Sequence, residues 1–354
     1  MPVAQGLPLD DLRVVELGSL LAGPFCGQLL GDFGAEVIKV EDPGTGDPMR
    51  QWGREKPYGL SLWWPVVARN KKSVTANLRT EEGQDLVRRL VARADVVVEN
   101  FRPGTLERWG LSPEQLWEIN PQLVITRVTG FGQAGPYAER AGYGSIGEAM
   151  GGIRYVTGYP DRPPARAGVS LGDSLAATFA TLGTLVALHS RGRTGRGQVV
   201  DSAIYEAVLA LMESLLPEWQ VAGYQRERTG TTLPHVSPSN AYPTTDGEMV
   251  LVAAHQHPVF RRPTQNKSQP EPGAAESEPP PAACRAFVVA EGAPAPPSAV
   301  PPSAERHAVA PPAAVADAVA RRAAVRPAAA PPVAAVADAG GRPRSVPRRA
   351  GTEP

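Results

Sequence analysis

Over roughly its first 255 residues the chain alternates short runs of Val, Ile and Leu with amphipathic stretches, a pattern that predicts an α/β fold. Residues 13–17 (RVVEL) read as a short buried strand, and 36–41 (EVIKVE), 73–78, 95–99 (DVVVE), 123–129 (LVITRVT) and 198–202 as further strands, with the first two in a β-α-β unit of the parallel, doubly wound kind. Residues 25–33 and 80–93 have helical apolar spacing. Ser112-Pro113-Glu114 carries a capping serine with proline in the first turn. Residues 174–189 and 204–216 read as further helices, and 191–197 (RGRTGRG) as a hairpin-like connection. Residues 240–244 and 248–253 flank Asp246-Gly247, a hairpin signal. The expected architecture is an open parallel-sheet, Rossmann-like large domain over 1–225, followed by the start of a smaller α+β domain over 226–260.

Beyond about residue 260 the pattern stops. From 271 onward there is no Leu, Ile, Met, Trp, Tyr, Lys or Asn, and Pro and Ala supply just over half of the residues. Such a composition buries too little apolar area to offset the entropy of ordering, so 261–354 reads as a disordered tail. The abruptness of the change favours out-of-frame translation of a GC-rich gene over a native extension.

Charge and candidate chemistry narrow the function. Thirty-six basic and 36 acidic residues leave no net charge, which argues against nucleic acid or a membrane surface as the main partner. No apolar run reaches the roughly 18 residues of a spanning helix without a polar interruption. Two distant cysteines, Cys26 and Cys284, make no disulfide framework, so a reducing cytoplasm is expected. No metal site is expected, since His255 and His257 lack a third ligand. The first turn reads GSLLAGP and not G-x-G-x-x-G, which argues against NAD despite the acidic Glu41-Asp42. The basic run Arg69-Asn70-Lys71-Lys72 reads as a solvated turn, with phosphate contact as the alternative. Asp173 stands where a Gly-flanked loop meets an apolar helix. It reads either as an N-cap or as a carboxylate nucleophile for acyl transfer, with nearby amides holding the oxyanion.

Several ordered blocks resemble the family III CoA-transferases, the CaiB/BaiF family that includes formyl-CoA transferase. They are LLAGPFCGQLLGDFGAEVIKVE with GTGDPMR, RNKKSVTANLRT, DVVVENFRPGTLERWGL, GYGSIGEAMGG with SLGDSLA, RTGRGQVVDSAIYEAVL and TTDGEMVLVA. The resemblance implies CoA transfer from an acyl-CoA to a carboxylic or dicarboxylic acid. Asp173 would be the nucleophile, passing through an aspartyl anhydride and an aspartyl-CoA thioester. Tyr143 would be a second active-site residue, and Arg79, Asn100, Phe101 and Arg108 would contact CoA. It implies no tightly bound cofactor, with CoA and acyl-CoA as substrates, and a homodimer of interlocked chains. The related racemases read Gly-His-Asp where this chain has Gly142-Tyr143-Gly144, and tyrosine is a poor α-carbon base, so transfer is preferred to racemisation or isomerisation. An inactive truncated member is the other alternative. Leu21 and Gly144 replace a glutamine and a glutamate of formyl-CoA transferase, which argues against the formyl/oxalate substrate pair. The block SLWWPVVARNKKSV resembles members acting on succinyl-CoA.

Overall fold

In the computed structural model the described residues are 6–234, 239–245 and 247–253, with the backbone alone at 324–326. Six parallel strands form the centre: β1 (Arg13–Glu16), β2 (Glu36–Glu41), β3 (Lys71–Thr75), β4 (Val96–Glu99), β5 (Val124–Thr129) and β6 (Val199–Ala203). Their spatial order, β3-β2-β1-β4-β5-β6, is that of a doubly wound dinucleotide-type sheet. The order reverses between β1 and β4, which opens a crevice beyond their carboxyl ends.

Alternation along each strand divides the core into two layers. Val14, Val37, Val96, Val124 and Val200 face the helix Ala22–Asp32 and the long helix Leu171–Thr194. Val15, Val40, Val97 and Ile125 face Val87 and Val91 of the helix Glu81–Val91, together with Leu106, Leu111 and Leu116. The long helix presents Ala176, Ala177, Ala180 and Ala187 to the sheet, all fully enclosed, and such small side chains allow close approach. Thr126 and Thr184 hydroxyls bridge sheet and helix at 2.6 Å. This helix has the length and mean hydropathy (1.4) of a membrane span, which the polar interruptions in its sequence concealed. It lies instead along the sheet, against β5 and β6.

Several elements depart from the sequence expectation. The long helix starts three residues earlier than expected, at Leu171, and continues to Thr194, where Gly195 ends it in a left-handed conformation. The 191–197 stretch is therefore the helix C-terminus and not a hairpin-like connection. Strand β3 begins at Lys71, because the Lys71 side chain is buried rather than solvated. Within the expected helix 204–216 the chain forms Ile204–Leu209 and then Leu215–Ala222, separated by Glu213 at φ 50°. Strands β7 (Ser239–Pro243) and β8 (Met249–Ala253) form a separate antiparallel hairpin. Ala324–Arg326, inside the stretch expected to be unstructured, forms β9, antiparallel to Val199–Asp201. The rest of 254–354 lies outside the described residues, as do His255, His257 and Cys284.

Candidate active site

A cavity of about 380 Å³ lies over the carboxyl ends of β1, β4, β5 and β6. Its floor is built from Ser19–Ala22 after β1, Asn100–Pro103 after β4, Val128–Gly130 at the end of β5 and Ile204 after β6. Its walls include Trp52, Arg140–Ser145, Glu148, Arg166, Ser170 and Asp173. It brings together Asp173, Tyr143, Asn100 and Phe101, which are widely separated in sequence. Among the described residues lining it there is no histidine.

Asp173 stands in the first turn of the long helix, where negative charge meets the positive end of the helix dipole. The N-cap position is Ser170, so Asp173 is not the cap, and among the described residues no hydrogen bond engages its carboxylate. The carboxylate lies where a side chain on Gly144 would sit: a Cβ there would be 2.3 Å from its Oδ2. Gly172 and Gly144 allow the long helix and the helix Gly144–Met150 to meet, since a Cβ on Gly172 would lie 3.0 Å from the Gly144 carbonyl. Burial raises the Asp173 pKa, the neighbouring Glu148 carboxylate adds to this, and Arg166 opposes it; the result is about 6.

Glu148 is fully buried. One of its oxygens accepts from the Gly172 backbone N–H at 3.2 Å and the other from Arg154 at 2.9 Å. It therefore fixes the first turn that carries Asp173. Sequence reasoning missed this role, although a charged residue in the small-residue run GSIGEAM was the available signal.

Asn100 differs from the expected CoA contact. Its Oδ1 accepts from Ser19 N–H and its Nδ2 donates to Ser19 C=O, both at 2.8 Å. Gly18 and Gly23 leave the space it occupies, with Cβ positions 2.6 and 3.1 Å from its amide. Its amide thus clamps the β1 turn, although the residue still faces the cavity. Phe101 is half-buried and stacks edge-on against Trp109 at 5.1 Å. Arg79 and Arg108 do not line the cavity. Arg79 is exposed with Asp42 3.8 Å away, and Arg108 donates to the Thr105 hydroxyl at 3.0 Å. Tyr143 lines the rim and is 64% exposed.

The residues that suggested other chemistries have partners within the fold. Glu41 receives both Arg50 nitrogens at 2.7 and 2.8 Å and the Ser73 hydroxyl at 2.6 Å. These bonds overcome the effect of burial and hold its pKa at about 2. It is thus a structural ion pair. Arg69 and Asn70 form an exposed turn, as expected, in which Arg69 pairs with Asp32, and the exposed Lys72 pairs with Glu36; Lys71 departs from the expectation, because it is buried and pairs with Glu16. Among the described residues no cluster of metal-ligating side chains occurs.

Beneath the cavity floor lies a buried ionic cluster. Lys39 donates to Glu16 at 3.0 Å and to Gly18 C=O at 2.7 Å, and pairs with Asp47 at 2.8 Å. Lys71 pairs with Glu16 at 2.7 Å and donates to Pro24 C=O at 2.6 Å. Burial works against both ammonium groups. The two carboxylates outweigh it at Lys39, whose pKa is raised, and burial prevails at Lys71, whose pKa is lowered. The other Asp47 oxygen accepts from Leu20 N–H at 3.1 Å, where Leu20 is held at φ 65°.

A sequence model described as CoA-transferase family III matches residues 9–286. A Chloroflexus aurantiacus protein named succinyl-CoA–D-citramalate CoA-transferase is 66% identical over 264 residues, which are 75% of this chain and 66% of that protein. The alpha subunit of a succinyl-CoA–L-malate CoA-transferase from Chloroflexus aurantiacus is 42% identical over 75% of this chain and 62% of its own length. The chain thus spans less than two thirds of the length of these curated relatives. A crystal structure of a CaiB/BaiF family protein from Brucella suis is similar with a TM-score of 0.68 at 42% identity, covering 74% of this chain and 70% of that one.

Proposed function

The chain belongs to CoA-transferase family III, and from that premise we propose that it moves CoA from succinyl-CoA to a dicarboxylic acid of the citramalate type, with Asp173 as nucleophile. The observation that carries this reading is the Asp173 carboxylate itself: without a hydrogen-bond partner among the described residues, in a helix first turn, and lining the cavity. In the first step an Asp173 oxygen attacks the thioester carbonyl and CoA thiolate leaves, giving a mixed anhydride. The thiolate then attacks the aspartyl carbonyl, releasing the donor acid and leaving an aspartyl-CoA thioester. The acceptor carboxylate displaces CoA to form a second anhydride. CoA thiolate finally attacks the acceptor acyl carbon and frees Asp173. Each bond broken is an activated acyl bond, so one difficult exchange becomes several easier ones. Tyr143 and the backbone at the start of the two helices supply donors for the tetrahedral oxyanions. Phe101 and the loop after β4 contact CoA, with Asn100 holding the β1 turn beside them. Arg79 and Arg108, both exposed, reach toward the CoA phosphates from outside the cavity. The reading carries a cytoplasmic homodimer, and the exposed Leu216, Trp219 and Val221 supply apolar area for an interface.

Rapid quench of the protein with succinyl-CoA, followed by intact-mass and peptide analysis, tests the reading. A CoA or succinyl adduct on Asp173 is expected. A folded protein that forms no adduct with any acyl-CoA refutes it.

Two further outcomes follow from the geometry. The nucleophile must be ionised, so the adduct rate should fall about tenfold for each pH unit below about 6 and level off above it. A pH–rate profile flat down to pH 4 would contradict this. Gly144→Ala places a methyl group against the carboxylate while occupying a position that tolerates alanine in a helix. A loss of adduct rate of about tenfold or more is expected, with stability changed by only about 1 kcal/mol. Stopped-flow quench and thermal melts report the two effects separately.

A further inference from the structure

Three arginines line the cavity: Arg102, Arg140 and Arg166. Among the described residues none of the three pairs with a carboxylate, whereas Arg50, Arg127 and Arg154 do. Of the two acids that line the same cavity, Glu148 is matched by Arg154. Asp173 is the reacting group, so the cavity carries more positive than negative charge. A substrate with an anionic group beyond the reacting carbonyl would balance it.

We propose that Arg166, assisted by Arg140, holds the second carboxylate of a dicarboxylate acyl group or acid while Asp173 engages the first. The proposal rests on the transferase reading and adds the selection of the substrate class. Arg166 lies on the segment leading into the long helix, and its only hydrogen bond among the described residues is a 3.3 Å bond from Nη2 to the Ser170 hydroxyl. Most of its five donors therefore remain for a ligand. Its charge reaches Asp173, where it opposes the effect of burial, so it acts on the region where the acyl carbon must lie. In a succinyl group only three carbon–carbon bonds of about 1.5 Å separate the two carboxyl carbons from end to end, so the second carboxylate must bind close to the first. Arg140 lies over the Tyr137 ring at 4.2 Å, a cation–π contact that uses the face of its guanidinium and none of its N–H donors. Planar guanidinium groups suit bidentate carboxylate recognition. Arg102 follows Phe101 and is assigned to the side of the cavity that takes CoA.

The test compares succinyl-CoA with butyryl-CoA, which has the same chain length and no terminal charge. In Arg166→Gln the ratio of kcat/KM for succinyl-CoA over butyryl-CoA should fall ten- to a hundredfold, the loss of one charge-assisted contact. An unchanged ratio overturns the proposal, because an arginine acting on CoA or on the fold would affect both donors equally. Equilibrium titration with succinate and butyrate, which needs no turnover, separates this idea from the transferase reading. Tighter binding of succinate by the wild type, lost in Arg166→Gln, supports the carboxylate site even if no acyl-CoA ever labels Asp173. In that case the transferase reading falls and the site remains. A wild type that does not distinguish succinate from butyrate overturns the proposal even if transfer is observed.

Discussion

Asp173→Ala is expected to abolish the covalent adduct with succinyl-CoA and to lower transfer by about 10⁴ or more, while CoA binding changes by less than about threefold. No other carboxylate can take over. Glu148, the only other acid lining the cavity among the described residues, is held by Arg154 and the Gly172 N–H and is fully buried. Asp173→Asn should be equally inactive, but it also predicts a gain in stability. The folded state raises this carboxyl from 3.8 to about 6, so the native protein binds the proton more tightly than the unfolded chain. Stability attributable to the group is then full below pH 4 and declines as pH rises through 4 to 6. Asparagine, which carries no charge, escapes that loss. The variant should exceed wild type by at most about 3 kcal/mol above pH 6, with the advantage gone at pH 4. Denaturant titrations at pH 4 and pH 7 check the sign. Retained turnover in Asp173→Ala would reject the nucleophile, and a less stable Asp173→Asn at pH 7 would reject the raised pKa.

Lys39→Met should have the largest effect on folding. It removes the donor shared by Glu16, Asp47 and Gly18 C=O, all at a site enclosed by the fold. Breaking a buried pair by removing one partner costs about 3–5 kcal/mol. For a domain of this size that lowers Tm by about 10 °C. The cluster holds two lysines and two carboxylates, so the single change leaves one buried negative charge uncompensated. Adding Asp47→Asn restores the balance through the remaining Glu16–Lys71 pair and retains a carbonyl acceptor for Leu20 N–H. The double variant should therefore recover at least about 1 kcal/mol relative to Lys39→Met. A loss under about 1 kcal/mol in the single variant, or no recovery in the double, would show that the cluster is not a balanced charge unit. Because Leu20 lies in the cavity floor and Gly18 immediately precedes it, the single variant should also slow adduct formation.

The sequence read some features well and others poorly, for physical reasons. Strands β1, β2, β4, β5 and β6 were legible because a parallel strand covered on both faces is built around short runs of Val and Ile. The capping box at Ser112 and Gln115 was legible in part, because the serine and the proline that follows it are local signals. The buried charges were not. Lys39 and Glu16 sit within strands, but a charge in a strand reads as solvent-facing unless its partners, here Asp47 and Lys71, are known to be adjacent in space. The extension of the long helix to Thr194 was missed because its basic, glycine-containing end resembles a turn. The backbone does not terminate until Gly195 adopts φ 66°.

By itself, then, the sequence determined the parallel α/β layering and the family, since apolar periodicity and ordered motif blocks are properties of the chain read in one dimension. Only the tertiary structure decided which polar groups remain available for chemistry. Folding engages Asn100 with Ser19, Glu41 with Arg50 and Lys71 with Glu16, and leaves Asp173 and Arg166 facing one cavity. A side chain's identity states what bonds it can make. Its neighbours, brought together from distant parts of the chain, determine which bonds it has already made.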